Sequence, residues 1–146
     1  MIIVKDDASC FSFDVVGYQY SHSKDIYDSN WLIVKMAARV GELYWCATDA
    51  CLRTFELLAL KEWLQDLSCC WVSGSQLRFT EGEIGFLAGE SGVIDVVLDF
   101  GFHPLGGKYR YGVDSEFVLS FKVFDGDLKR LIRDIDMLIE KFPVRH

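Results

Sequence analysis

The stretch YDSNWLIVKMAARVGELYWCATDACLRT, residues 27 to 54, carries the strongest pattern in the chain. Leu32, Val34, Met36, Ala38 and Val40 fall on one face of an extended segment, and Trp31, Ile33, Lys35, Ala37 and Arg39 on the other, which is the signature of a half-buried strand. Gly41-Glu42 supplies a turn. Leu43, Trp45 and Ala47 then alternate with Tyr44, Cys46 and Thr48 in a returning strand. After this hairpin the apolar period lengthens from two to 3.6, because Leu57, Leu60, Leu64 and Leu67 recur at helical spacing. Thr54 is the expected N-cap, with Glu56 in the positive first turn.

Outward from that core, aromatic and β-branched residues mark strands at 10–20, 69–80, 83–88, 92–102 and 116–124. Polar residues after 20 make a loop, and the glycines within 103–115 make another. Leu128, Leu131, Ile132, Ile135, Leu138, Ile139 and Phe142 form the clearest helical stripe, capped by Asp125 or Asp127 and stopped by Pro143. Paired strands followed by a helix thus occur twice, over 31–67 and 92–142. The expectation is an α+β fold: an antiparallel-rich β-sheet with two amphipathic helices, about 55–67 and 127–141, packed on one face. Its 146 residues fit a single domain, 1–146, able to bury roughly two thirds of its unfolded surface.

Hydrophobic residues at 51% and only two prolines leave no room for a disordered linker. The N-terminal MIIVKDDASC lacks an apolar signal-peptide core, and Asp95 and Asp99 interrupt the most apolar run, so a cytoplasmic protein is expected. A net charge of −7 argues against direct nucleic-acid binding and against anionic membrane surfaces, and it suits a basic protein partner. The five cysteines are an odd number in an unexported chain, so they read as buried, reduced thiols. Neither Cys46-x4-Cys51 nor the adjacent Cys69-Cys70 has zinc-ligand spacing, and neighbours on one strand point apart; no metal and no cofactor is expected.

Candidate catalytic groups are few. Asp95 and Asp99 are separated by about 13 Å of extended backbone, longer than the roughly 5–9.5 Å of a working carboxylate pair. Glu81 and Glu83 flank Gly82 in an expected turn, where solvated charges are the simpler account. Ser73-Gly74-Ser75 is no nucleophile elbow, and GGKYRYG lacks phosphate-loop spacing. The alternative to a binding protein is a small hydrolase or transferase with His103 as its loop centre.

One further pattern is informative. Asn30, Trp31, Leu32 and Val34 in the strand, Glu56, Leu57, Leu60, Trp63 and Leu64 in the first helix, and Phe142-Pro143 at the close resemble the WapI-type immunity protein family over nearly the whole chain. The resemblance implies a bacterial cytosolic protein without catalytic residues that neutralises the C-terminal domain of a wall-associated, contact-dependent toxin, a nuclease in the favoured case. It implies that Trp31 and Trp63 pack between sheet and helix and that Asn30 fixes a turn. No partner-reading residue carries over from the family. The acidic loop residues Asp25, Asp28, Glu81, Glu83 and Glu90 are therefore the candidate partner contacts, on charge alone.

Overall fold

The computed structural model describes residues 1–110 and 112–146; Tyr111, in the expected loop 103–115, lies outside them. Strands β1 (Ile2–Lys5), β2 (Ser9–Tyr18), β3 (Trp31–Val40) and β4 (Leu43–Arg53) form one antiparallel sheet in sequential order, followed by helix α1 (Thr54–Cys69). Strands β5 (Gln76–Arg78), β6 (Ile84–Ala88), β7 (Val93–Leu98) and β8 (Phe117–Lys122) form a second, again in sequential order, followed by helix α2 (Asp125–Lys141). The α+β class and both helices are as expected. The strands, however, divide between two sheets: α1 separates β4 from β5, and each strand pairs only with its sequence neighbours.

The hairpin folds as its alternation requires. Val40 pairs with Leu43 across a two-residue turn in which Gly41 takes φ 58°, a conformation that costs glycine little. Leu32, Val34, Met36 and Ala38 are buried with Phe11, Phe13 and Val15 of β2. Trp31 departs from expectation: it sits on the opposite, outer face, half-buried, with the Arg53 guanidinium 5.5 Å from its ring centroid. Trp63 is in the core as expected, its ring 6.1 Å from that of Phe86 and its indole N–H donating to Ser75 Oγ at 2.8 Å.

Two bulges interrupt the first sheet. The one in β4 adds Cys51 between Ala50, which pairs with Ile33, and Leu52, which pairs with Leu32. Alternation breaks there, and Cys51 is buried beside the buried Leu52. The remaining thiols correct the expectation of five buried cysteines: Cys46, Cys69 and Cys70 are exposed and Cys10 is half-buried. Cys69 completes α1 instead of opening a strand, and the strand expected over 69–80 shrinks to Gln76–Arg78. The run expected as a strand over 92–102 likewise ends at Leu98, and Phe100–Phe102 form a 3-10 turn.

Both helices turn their apolar stripes inward: Leu57, Leu60, Leu64 and Leu67 from α1, and Leu128, Leu131, Ile135 and Leu138 from α2. Ile2 and Val4 of the first sheet, Phe86 and Ile94 of the second, Leu60 and Leu64 of α1 and Leu131 of α2 converge on one interior gap. The buried residues of both sheets and both helices accordingly belong to one core. Among the described residues, no helix is long and apolar enough to cross a membrane.

Candidate functional site: carboxylates where the two sheets meet

The first turn of α1 gathers several segments. Glu56 accepts from the backbone N–H of Arg53 at 2.8 Å and from that of Thr80 at 2.7 Å, while Arg53 Nη2 donates to Thr80 Oγ1 at 2.6 Å. A carboxylate at this position is favoured by the unpaired N–H groups and dipole of the helix start. It also pins the loop entering β6 to the end of β4. Next to it, Asn30 is fully buried: its Nδ2 donates to the carbonyls of Ile26 (2.6 Å) and Arg145 (2.8 Å), and its Oδ1 accepts from Thr54 Oγ1 (2.7 Å) and the Arg145 N–H (2.8 Å). The turn-fixing role expected of Asn30 is thus observed, and Thr54 is committed to Asn30 instead of capping its own helix.

From this point β4 runs alongside the turn that follows β7. Trp45 donates its indole N–H to the Phe102 carbonyl at 2.9 Å. Four residues on, Asp49 reaches the same turn: a Cβ on Gly101 would stand 3.6 Å from Asp49 Oδ2 and 3.9 Å and 4.0 Å from Glu83 Oε2 and Oε1. Phe100 holds φ 50° here, an uncommon backbone conformation for a residue with a side chain, with Asp99 Oδ1 accepting its N–H at 2.9 Å. Asp49 of the first sheet and Glu83 at the edge of the second therefore meet beneath Gly101, which is itself exposed.

Glu83 is not the solvated turn charge expected of it; it is 9% exposed. The Asp99 N–H donates to its carbonyl at 3.0 Å, which anchors the residue just before β6, and its side chain meets that of Asp49. Burial raises its pKa to about 8, helped by a hydrogen bond to the Asp49 carboxyl and by the charges of Asp49 and Glu81. Because two ionised carboxylates can only accept, that bond requires a proton on one of the two. Without the proton, Glu83 Oε2 is buried with no donor. The bulged Cys51 lies within the same field: burial, with Glu83, Asp49, Glu56 and Glu81, pushes its thiol far above the ordinary range. It is a packing group, not a nucleophile.

Of the five candidate contacts, four are placed about the start of α1. Asp25 and Asp28 lie in the exposed segment before Asn30, where Asp25 Oδ1 accepts the N–H groups of Tyr27 (2.8 Å) and Asp28 (3.1 Å). Glu81, exposed, and Glu83 follow Thr80. Glu90 stands apart, in the turn Glu90–Gly92 beyond the far end of β6, and Trp71, just past the other end of α1, bonds its neighbour Gly89. The 16 residues of α1 put about 24 Å between the two ends. Asp49 was missed because a polar residue in an alternating strand shows nothing of what a distant turn brings to it.

His103 is packed, not presented. It is buried, its Nδ1 accepts the Leu105 N–H at 3.1 Å, and its ring lies against Tyr109 and Phe117. A wide, shallow depression elsewhere, on the outer face of the first sheet, is lined by Cys10, Ser12, Ala37, Arg39 and Tyr44. Its one charged lining residue is a cation, Arg39, and it has none of the carboxylates found at the junction. Among the described residues, no group of three or more His, Cys, Asp or Glu side chains is arranged to hold a metal ion.

The chain matches the Immunity protein WapI-like family over residues 1–143. It belongs to that family. No curated protein sequence and no solved structure matches it. As a WapI-like immunity protein its function class is that of an immunity protein, and the partner that class implies is another protein, a toxin. Of the positions that carried the family resemblance, all but the half-buried Trp31 and the exposed Pro143 are buried, so most of them mark the fold.

Proposed function

We propose that this WapI-like protein binds and neutralises the C-terminal domain of a wall-associated, contact-dependent toxin in the cytoplasm of the bacterium that makes it. The partner is a cationic domain, a nuclease, and the contact surface is the acidic ground about the first turn of α1, with Asp25, Asp28, Glu81 and Glu83 in it. The observation that supports this reading is the meeting of Asp49 and Glu83 where the two sheets join, with Glu56 and Glu81 close enough to bear on the same buried thiol. A cluster of carboxylates steers a basic partner toward it and covers a nuclease's basic substrate groove without copying the nucleic acid. Glu90, at the other end of α1, belongs to this surface only if the partner spans the helix.

The test is genetic and biochemical together. Cells expressing the toxin domain encoded beside this gene should survive only when the immunity protein is co-expressed, and the purified protein should abolish the domain's nuclease activity at one-to-one stoichiometry. Death of co-expressing cells, with the toxin fully active beside an excess of folded protein, would sink the proposal.

A further inference from the structure

Glu83 presents an unresolved account of charge. It is more than nine-tenths buried, its Oε2 has no donor, and the side chain it meets is another carboxylate. A buried anion in that position needs either a proton or a cation. Among the described residues, the groups that bear on it are acidic or apolar: Asp49 and Cys51 come from β4, Glu56 from α1 and Glu81 from the preceding turn, while the Arg53 guanidinium bonds Thr80 through Nη2 and stands over Trp31, its Nε buried without a partner of its own. The approach from solvent is nonetheless left open by Gly101. The point where its Cβ would stand is 3.6 Å from Asp49 Oδ2 and 3.9 Å from Glu83 Oε2, close to both carboxyls at once.

We propose that the Asp49–Glu83 pair is a receptor for one basic side chain, an arginine or lysine of the toxin domain, which enters over Gly101 and displaces the proton the two carboxyls share. This rests on the immunity reading for the source of the side chain, though not for the site itself. The planar guanidinium suits the geometry, since its paired N–H groups can address two carboxylates on adjacent elements. The proton then acts as a placeholder. It neutralises the pair in the free protein and leaves on binding, so the complex tightens as the pH rises through about 8, where Glu83 gives up its proton unaided. A cation delivered to a buried Glu83 carboxylate, with the exposed Asp49 beside it, confers specificity, because a partner with a neutral residue there leaves the Glu83 anion buried and unpaired.

Methylguanidinium is the probe. In the free protein, carboxyl and amide NMR shifts of Glu83, Asp49 and Gly101 should saturate with it at pH 9. The apparent affinity should fall at least about fivefold at pH 6, where the proton competes. Glu83→Gln should remove the saturable response. Gly101→Val should remove it too, although both carboxyls remain, because the added side chain covers their open side. Thermal melts confirm that both variants are folded. Shifts that rise linearly without saturating, or that are the same in wild type and Glu83→Gln, overturn the receptor. With the toxin domain, Glu83→Gln should bind at least about tenfold more weakly than wild type. Equal inhibition by the two proteins refutes the pair as an anchor. Saturation by methylguanidinium with no effect of the wild type on the toxin refutes the immunity reading and leaves the cation site standing.

Discussion

At the scale of single residues, the unusual groups are Glu83 and Cys51, and each makes a measurable prediction. Glu83 keeps its proton up to about pH 8 when folded, against an ordinary value of 4.5. Between those pH values the native state holds a proton the unfolded chain has lost, so its contribution falls as the pH rises, from nothing below about 4.5 to its full cost above 8. Glu83→Gln removes that cost. Urea unfolding should find the variant close to wild type at pH 4 and more stable at pH 9, by on the order of 2–3 kcal/mol. A difference independent of pH contradicts a buried Glu83 carboxyl. Thiol titration of the native protein should find Cys46, Cys69 and Cys70 fast and Cys51 unreactive until the chain unfolds. Neither group was legible in the sequence. Glu83 reads as a turn charge until Asp49 arrives from another sheet, and Cys51 is turned inward by a bulge that period-two alternation does not encode.

At the scale of elements, the long periodic runs were legible and the joints were not. The β3–β4 hairpin, α1 and α2 all follow from apolar spacing, since burial of one face is itself what makes them strand or helix. The short β1 and the division into two sheets depend on which edge a segment finds, and composition does not record that. Asn30 is the joint whose importance the sequence did suggest: it ties the segment before β3, the first turn of α1 and the C-terminal Arg145 with four hydrogen bonds. Asn30→Ala strands buried donors and acceptors on three elements at once. It should cost about 2–4 kcal/mol, read as a lowered denaturation midpoint with an unchanged m-value. Asn30→Asp should also destabilise, because Nδ2 is the donor to both the Ile26 and Arg145 carbonyls.

At the scale of the molecule, the chain builds the same plan twice, a four-stranded antiparallel meander followed by a helix, and closes both halves on one core. The twofold pattern of strands and helix was visible in the sequence, whereas the seam between the halves was not, and the carboxylates gather at that seam. With a shared core, unfolding should be a single transition, coincident by far-ultraviolet circular dichroism and tryptophan fluorescence. Two separated transitions would mean that the halves stand independently. The seam is also the surface on which the functional account depends, and hydrogen exchange of the complex with the neighbouring gene's toxin domain tests it most directly. The account predicts new protection over residues 25–28, 80–84 and 99–102, with none in the depression lined by Ser12, Ala37 and Tyr44; protection confined to that outer face, or no complex at all, would contradict it.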